Sequence, residues 1–223
     1  MPKSSRAARK KEKPARIAVY LTTFLLFVVF GVSVYLYKVG TINQNQLTVY
    51  ASIAQSLIFS FGVFTYMLLT KGRTFKKVTV QLGLSSFKSI HLLYGVALFV
   101  AVLFLEFSIA LFQAATGIQL PSNVSQIFSG LPLYFLLFSA IIVPINEEIL
   151  FRGFMVPRLG IIISALIFAA LHYIGYLSIS EFVAALVFGI LAGYVRKRTS
   201  SLYPSIIAHM SVNILGLLAL ALI

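Results

Sequence analysis

The chain contains no cysteine, no tryptophan and no aspartate. Without cysteine there is no disulfide, no thiol nucleophile and no thiolate ligand for a metal. Without aspartate, no mechanism built on an aspartate pair is open to it. All five acidic residues are glutamates: Glu12, Glu106, Glu147, Glu148 and Glu181. Charge itself is scarce, at 10% of the 223 residues, against about 25% in a soluble domain. Hydrophobic residues make up 60% of the chain and the mean hydropathy is +0.98. This composition excludes an ordinary soluble domain and a disordered chain. It predicts an integral membrane protein.

The few charges are mostly basic, giving a formal net charge of +13. In a soluble chain that excess would point to nucleic acid. Here the basic residues sit in short loops between apolar runs, which makes them a topology signal, and no nucleic-acid partner is expected. A bilayer core takes about 20 apolar residues per helix. Seven stretches qualify or nearly do: Ile17–Tyr37, Leu47–Leu69, Ile90–Ala115, Leu131–Leu150, Gly160–Leu177, Phe182–Val195 and Leu202–Ile223. The sixth is the short one, and a tight bent link joins the fourth and fifth, with Gly153 and Pro157 expected to let the chain turn. With the N-terminus inside, every one of the 18 basic residues except Lys38 falls in the tail or in an inside loop. The reading is an all-α bundle of about seven transmembrane helices, multi-pass in a plasma membrane, with a cytoplasmic N-terminus. Residues 1–16 form a basic cytoplasmic tail, and 17–223 form one polytopic membrane domain. The first apolar run is too long for a signal-peptide core and lacks a cleavage site after it.

Ionisable groups inside a membrane cost roughly 2.5–3.5 kcal/mol each on insertion scales, so they are functional suspects by default. They cluster toward the end of the chain, within 131–223. Near the inside end of the fourth stretch are Asn146, Glu147, Glu148 and Arg152. The fifth carries Phe168 and His172, and the seventh carries Ser205, His209 and Asn213. Glu148 precedes Arg152 by four residues, the favoured order for a helical ion pair. Glu147 sits about 100° further round and has no partner in its own segment. His209 and Asn213 share a face. Helical rise puts His172 deepest, His209 shallower and Glu147 nearer the inside surface. One cavity could hold a carboxylate, two imidazoles and an amide. A desolvated glutamate suits a general base acting on water. A histidine can orient that water, and a second histidine with an amide can donate to an oxyanion. Glu147, His172 and His209 could also hold a divalent metal such as zinc. One imidazole from each of two helices is a sparse zinc site, so metal-free activation of water is favoured. There is no H-E-x-x-H and no G-x-S-G. A glutamate-based site is the one intramembrane protease type that remains.

Three short patterns occur in order: E-E-x-x-x-R at Glu147, Glu148 and Arg152; F-x-x-x-H at Phe168 and His172; and H-x-x-x-N at His209 and Asn213. In this the chain resembles the CPBP family of intramembrane proteases. That family takes in the Rce1-like CAAX proteases, bacteriocin-processing proteins and the Abi group. The resemblance covers Glu147–Asn213 and not the first two spans. It implies a hydrolase that cleaves membrane-anchored proteins or peptides by activated water. Glu147 would be the base, His172 would help activate the water, and His209 with Asn213 would stabilise the oxyanion. Glu148 and Arg152 would shape the site, with Phe168 packed under His172.

Two other classes stay open. One is a non-catalytic bacteriocin-immunity or scaffold membrane protein that keeps the polar cluster as a binding site or relic. The other is a small transporter using Glu147 or Glu106 as a proton carrier. Intact motifs favour the enzyme over the relic, and the absence of an internal repeat disfavours the transporter. Glu106 is read as a buried, hydrogen-bonded acid and His91 as interfacial.

Overall fold

The computed structural model describes residues 12–70, 73–120 and 123–220. These residues form helices and their connections, with no strand among the described residues. They fall into two compact units, residues 1–85 and 86–223.

The first unit is a hairpin of α1 (Lys13–Lys38) and α2 (Gln44–Leu69), followed by the short α3 (Phe75–Leu82). Pro14 stands in the first turn of α1, where its missing N–H removes no helix bond. Residues 13–16, read above as tail, are therefore helix. Residues 1–11 of that tail, the inside-loop Lys71 and the last three residues of the seventh stretch lie outside the described residues. A reciprocal capping box opens α2: Gln46 N–H donates to Asn43 Oδ1 at 2.9 Å and Asn43 N–H to Gln46 Oε1 at 3.0 Å. Between the two helices the Thr23 and Thr65 hydroxyls bond at 2.7 Å. Arg16 is buried. Its guanidinium donates to the Leu68 carbonyl in the last turn of α2 and to the Arg73 carbonyl at 3.0 Å. The final carbonyls of a helix have no helical donor, and a cation there satisfies them and complements the dipole.

The second unit comprises α4 (Ser89–Thr116), α5 (Val124–Phe128), α6 (Leu133–Glu148), a π-helical segment (Ile149–Met155), α7 (Val156–Leu159), α8 (Ile161–Tyr176), α9 (Ile179–Thr199) and α10 (Tyr203–Leu220). α8 packs along α9, and α10 packs between α4 and α6. Six segments are long and apolar enough to cross a membrane: α1, α2, α4, the continuous Leu133–Leu159, α9 and α10; α8 is a shorter apolar helix. The seven apolar stretches are therefore seven helices.

Two expectations about these helices fail. The short helix is the fifth, not the sixth. α8 has 16 residues, about 24 Å at 1.5 Å per residue. α9 has 21 because polar residues extend it beyond its apolar stretch. Ser178 caps its start by accepting the Glu181 N–H at 3.2 Å. Arg196, Lys197 and Arg198 occupy its last turn, where cations face unpaired carbonyls. The chain also does not turn at Gly153 or Pro157. Gly153 lies inside the π segment and Pro157 in the first turn of α7, where proline fits a helix. The reversal comes at Gly160, with φ +85°, a left-handed value open to glycine.

Small residues let α8 and α9 touch. A Cβ at Gly189 would lie 2.8 Å from Ala165 Cβ and 3.0 Å from its Cα, and one at Gly193 would lie 2.8 Å from Ile161 Cγ2. Gly189 and Gly193 form the small-x-x-x-small spacing that brings membrane helices into backbone contact. At Gly175, on α8, a Cβ would meet nothing within 4 Å. We expect Gly189→Val to overpack this seam, at a cost of about 1–3 kcal/mol. Thermal unfolding of the purified chain in detergent should show a clear loss for Gly189→Val and none for Gly175→Ala. Equal melting temperatures for the two would refute the seam.

Candidate active site

The fold brings the three motifs together around one buried carboxylate. Glu148 is fully buried and Arg152 is 1% exposed. Arg152 Nη1 donates to Glu148 Oε1 at 2.8 Å, so the predicted ion pair is made. The same Oε1 accepts Nδ1–H of His209 at 3.1 Å. The Arg152 guanidinium carbon lies 4.2 Å from the Phe168 ring centre and 4.8 Å from that of Phe188. A desolvated cation over aromatic faces gains electrostatically from both rings. Phe168 therefore packs against Arg152 as well as under His172, whose ring centre is 4.2 Å away.

The π-helical segment sits within this cluster. A π turn widens the helix and leaves a carbonyl displaced from the regular ladder. Here the Phe151 carbonyl accepts the buried Ser164 hydroxyl of α8 at 3.0 Å, tying the widened turn to the helix that carries His172. Because Leu133–Leu159 is continuous, Glu147 is not near a helix end as expected. It lies twelve residues before Leu159, about 18 Å along the axis. His172 lies eleven residues after Ile161, about 17 Å from that same end. Glu147 and His172 are level.

Glu147, His172 and His209 each offer a ligand-capable atom, all within 4.8 Å of one another. Glu147 Oε2 is 3.6 Å from His209 Nε2. His172 Nδ1–H donates to the Phe168 carbonyl, one turn back, at 3.0 Å. Both imidazoles thus spend Nδ1–H on an oxygen acceptor, which leaves each Nε2 for whatever sits beside Glu147. Both also touch aromatic rings, His209 against Phe188 at 5.0 Å and His172 against Tyr176 at 5.9 Å between centres.

Asn213 also links helices. Its Nδ2 donates to the Ser139 carbonyl of α6 at 3.2 Å, joining α10 to α6. Phe188 and Tyr176 are site residues that sequence reasoning missed. Phe188 had a weak signal, as the bulky residue directly before the small-residue spacing at Gly189.

The remaining ionisable groups lie elsewhere. Glu106 is exposed, contrary to expectation, and lines a cavity of about 200 Å³ with Gln113, Ser180 and Glu181. It faces that cavity because its own helix, α4, packs on α9, which supplies Glu181. His91 is buried in the first turn of α4: it accepts the Lys88 N–H at 3.2 Å and stacks on Tyr203, with ring centres 5.9 Å apart. It caps the start of α4.

Residues 129–215 match the family model described as type II CAAX prenyl endopeptidase Rce1-like. The match contains all three motifs and is consistent with a CPBP-family protease. At family level it supports a CAAX-type intramembrane endopeptidase. No curated protein and no solved structure matches the chain.

Removing one partner of a buried ion pair leaves a stranded charge, at about 3–5 kcal/mol. Arg152→Met should therefore be strongly destabilising. Adding Glu148→Gln to it removes the stranded charge and should recover much of the loss. The check is a double-mutant cycle on thermal stability in detergent. Additive losses would mean that the pair is not coupled.

Proposed function

We propose that this protein is an intramembrane glutamate-dependent endopeptidase that cleaves membrane-anchored proteins or peptides by activated water. The observation that carries this reading is the convergence of Glu147, His172 and His209 on one space, with ligand-capable atoms within 4.8 Å of one another. Glu147 is the general base. His172, fixed by the Phe168 carbonyl, presents Nε2 to the water and orients it. His209, fixed by Glu148, presents Nε2 beside Glu147. Glu148 and Arg152 are positioning residues that act through His209 and Phe168. Asn213 positions α10 through its bond to Ser139.

The same three residues fit a divalent ion such as zinc. The donor set is one carboxylate and two imidazoles, each with Nδ1–H on an oxygen acceptor, as metal-bound histidines usually have. Such an ion would be held by Glu147, His172 and His209. When bound it would supply Lewis-acid polarisation. Elemental analysis separates the two forms. A metal site predicts about one ion per chain, lost in His172→Ala and His209→Ala. A metal-free site predicts none and full activity after chelation.

We orient the N-terminus to the cytoplasm and place the chain in a plasma membrane. The support is the distribution of the 18 basic residues, all but Lys38 on one side of the seven-span reading.

The test is a comparison of wild type and Glu147→Gln in the source cell, at equal expression. New protein termini in membrane and secreted fractions are quantified by mass spectrometry. A set of termini present in wild type should vanish in Glu147→Gln and in His209→Ala, with both variants still folded. Unchanged termini together with an intact cellular phenotype would sink the enzyme and leave a scaffold or immunity protein.

A further inference from the structure

Tyr176 ends α8, one turn beyond His172. Residues four apart share a helix face, and the Tyr176 ring meets the His172 imidazole edge-on with centres 5.9 Å apart. On its other side the ring lies 6.1 Å from that of Phe128 in α5. The Tyr176 carbonyl accepts the Asn123 N–H at 3.4 Å. Residues 123–128 therefore hold this end of the helix and the ring in place. Among the described residues the phenol hydroxyl has no hydrogen-bond partner.

The groups expected to serve the oxyanion each have one hydrogen committed within the protein. His209 gives Nδ1–H to Glu148 and turns Nε2 to Glu147. Asn213 gives an amide hydrogen to Ser139. On the His172 face, Tyr176 offers a further donor. We propose that Tyr176 is a further catalytic residue, its phenol donating a hydrogen bond to the oxygen of the scissile carbonyl. This assignment rests on the endopeptidase reading.

The step balances as follows. The water oxygen bonds to the carbonyl carbon, the carbonyl π pair moves onto oxygen, and the water proton passes to Glu147. The oxyanion is held by the Tyr176 O–H, which keeps its proton throughout. On collapse that pair reforms the carbonyl, the C–N bond breaks, and the proton on Glu147 passes to the leaving amine. A donor aimed where charge develops is worth far more in a water-poor site than in water.

The test uses the full chain reconstituted in lipid vesicles. The substrate is a single-span peptide bearing a cut site found by the terminus mapping above. kcat and KM are measured per folded enzyme for wild type, Tyr176→Phe, Tyr173→Phe and Glu147→Gln. Tyr176→Phe keeps the ring and its packing, so its melting temperature should match wild type. Its kcat should fall about 10²–10³-fold, the loss typical of one oxyanion donor, with KM little changed. Tyr173→Phe, on the exposed side of the same helix, should behave as wild type. A dead Glu147→Gln beside a Tyr176→Phe of wild-type kcat overturns the Tyr176 role and leaves the endopeptidase standing. So does a Tyr176→Phe that changes KM alone. Wild-type cleavage by Glu147→Gln, or none by wild type, overturns both.

Discussion

One carboxylate oxygen, Oε1 of Glu148, organises the rest of the site. It accepts from Arg152 at 2.8 Å and from His209 at 3.1 Å, and so joins α6, the π-helical segment and α10 at a single atom. A fully buried carboxylate is tolerable only with such partners, because desolvation of an unpaired ion costs several kcal/mol. The guanidinium is tolerable for a matching reason. It is held between Glu148 and the faces of Phe168 and Phe188, which join it to α8 and α9. One ion pair therefore requires five helical elements to be in place together. What it positions is the neighbouring Glu147, whose side chain is 15% exposed and points to the space between the two imidazoles.

Close helix packing makes this arrangement feasible. Phe188 reaches Arg152 because Gly189, the next residue, allows α9 to lie against Ala165 of α8. The Arg152 Nη2 atom itself lies 3.4 Å from where a Gly189 Cβ would be. The absent side chain thus serves both the backbone approach and the room for the cation. In lipid there is little hydrophobic drive between helices, so van der Waals contact of this kind carries much of the association. On α10 the same logic appears at Gly95 of α4, where a Cβ would lie 2.9 Å from Ile207 Cγ2. That contact seats the helix that carries His209.

The sequence exposed the parts of this design that are local. Apolar runs of bilayer length marked seven helices, and spacing of four marked the Glu148–Arg152 pair. Scarcity marked Glu147, His172 and His209, since polar groups are costly in apolar helices. What it hid depends on register and on distant partners. The π segment shifts the phase of the helix after Glu148, and no simple period announces it, so the turn was placed at Gly153 and Pro157 instead of Gly160. The same error put Glu147 near a helix end. The bond from Asn213 to the Ser139 carbonyl was hidden because its acceptor lies 74 residues away.

The charges around Glu147 bear on how the chain could activate water. Two carboxylates face one guanidinium, so with neutral histidines the cluster holds one uncompensated negative charge. A proton shared between His209 and Glu147, or a cation beside them, would balance it. Both histidines commit Nδ1–H elsewhere, and both Nε2 atoms face the same space. In the proposed reaction a water there would give its two hydrogens among two nitrogen acceptors and one carboxylate. Among the described residues Glu147 makes no hydrogen bond, whereas His209 bonds to Glu148 and His172 to the Phe168 carbonyl. Glu147 is therefore the group free to take a proton without disturbing the ion pair that holds the helices together. On the proposed reading, this separation of a structural Glu148 from a reactive Glu147 accounts for two adjacent glutamates where a single buried acid already costs so much.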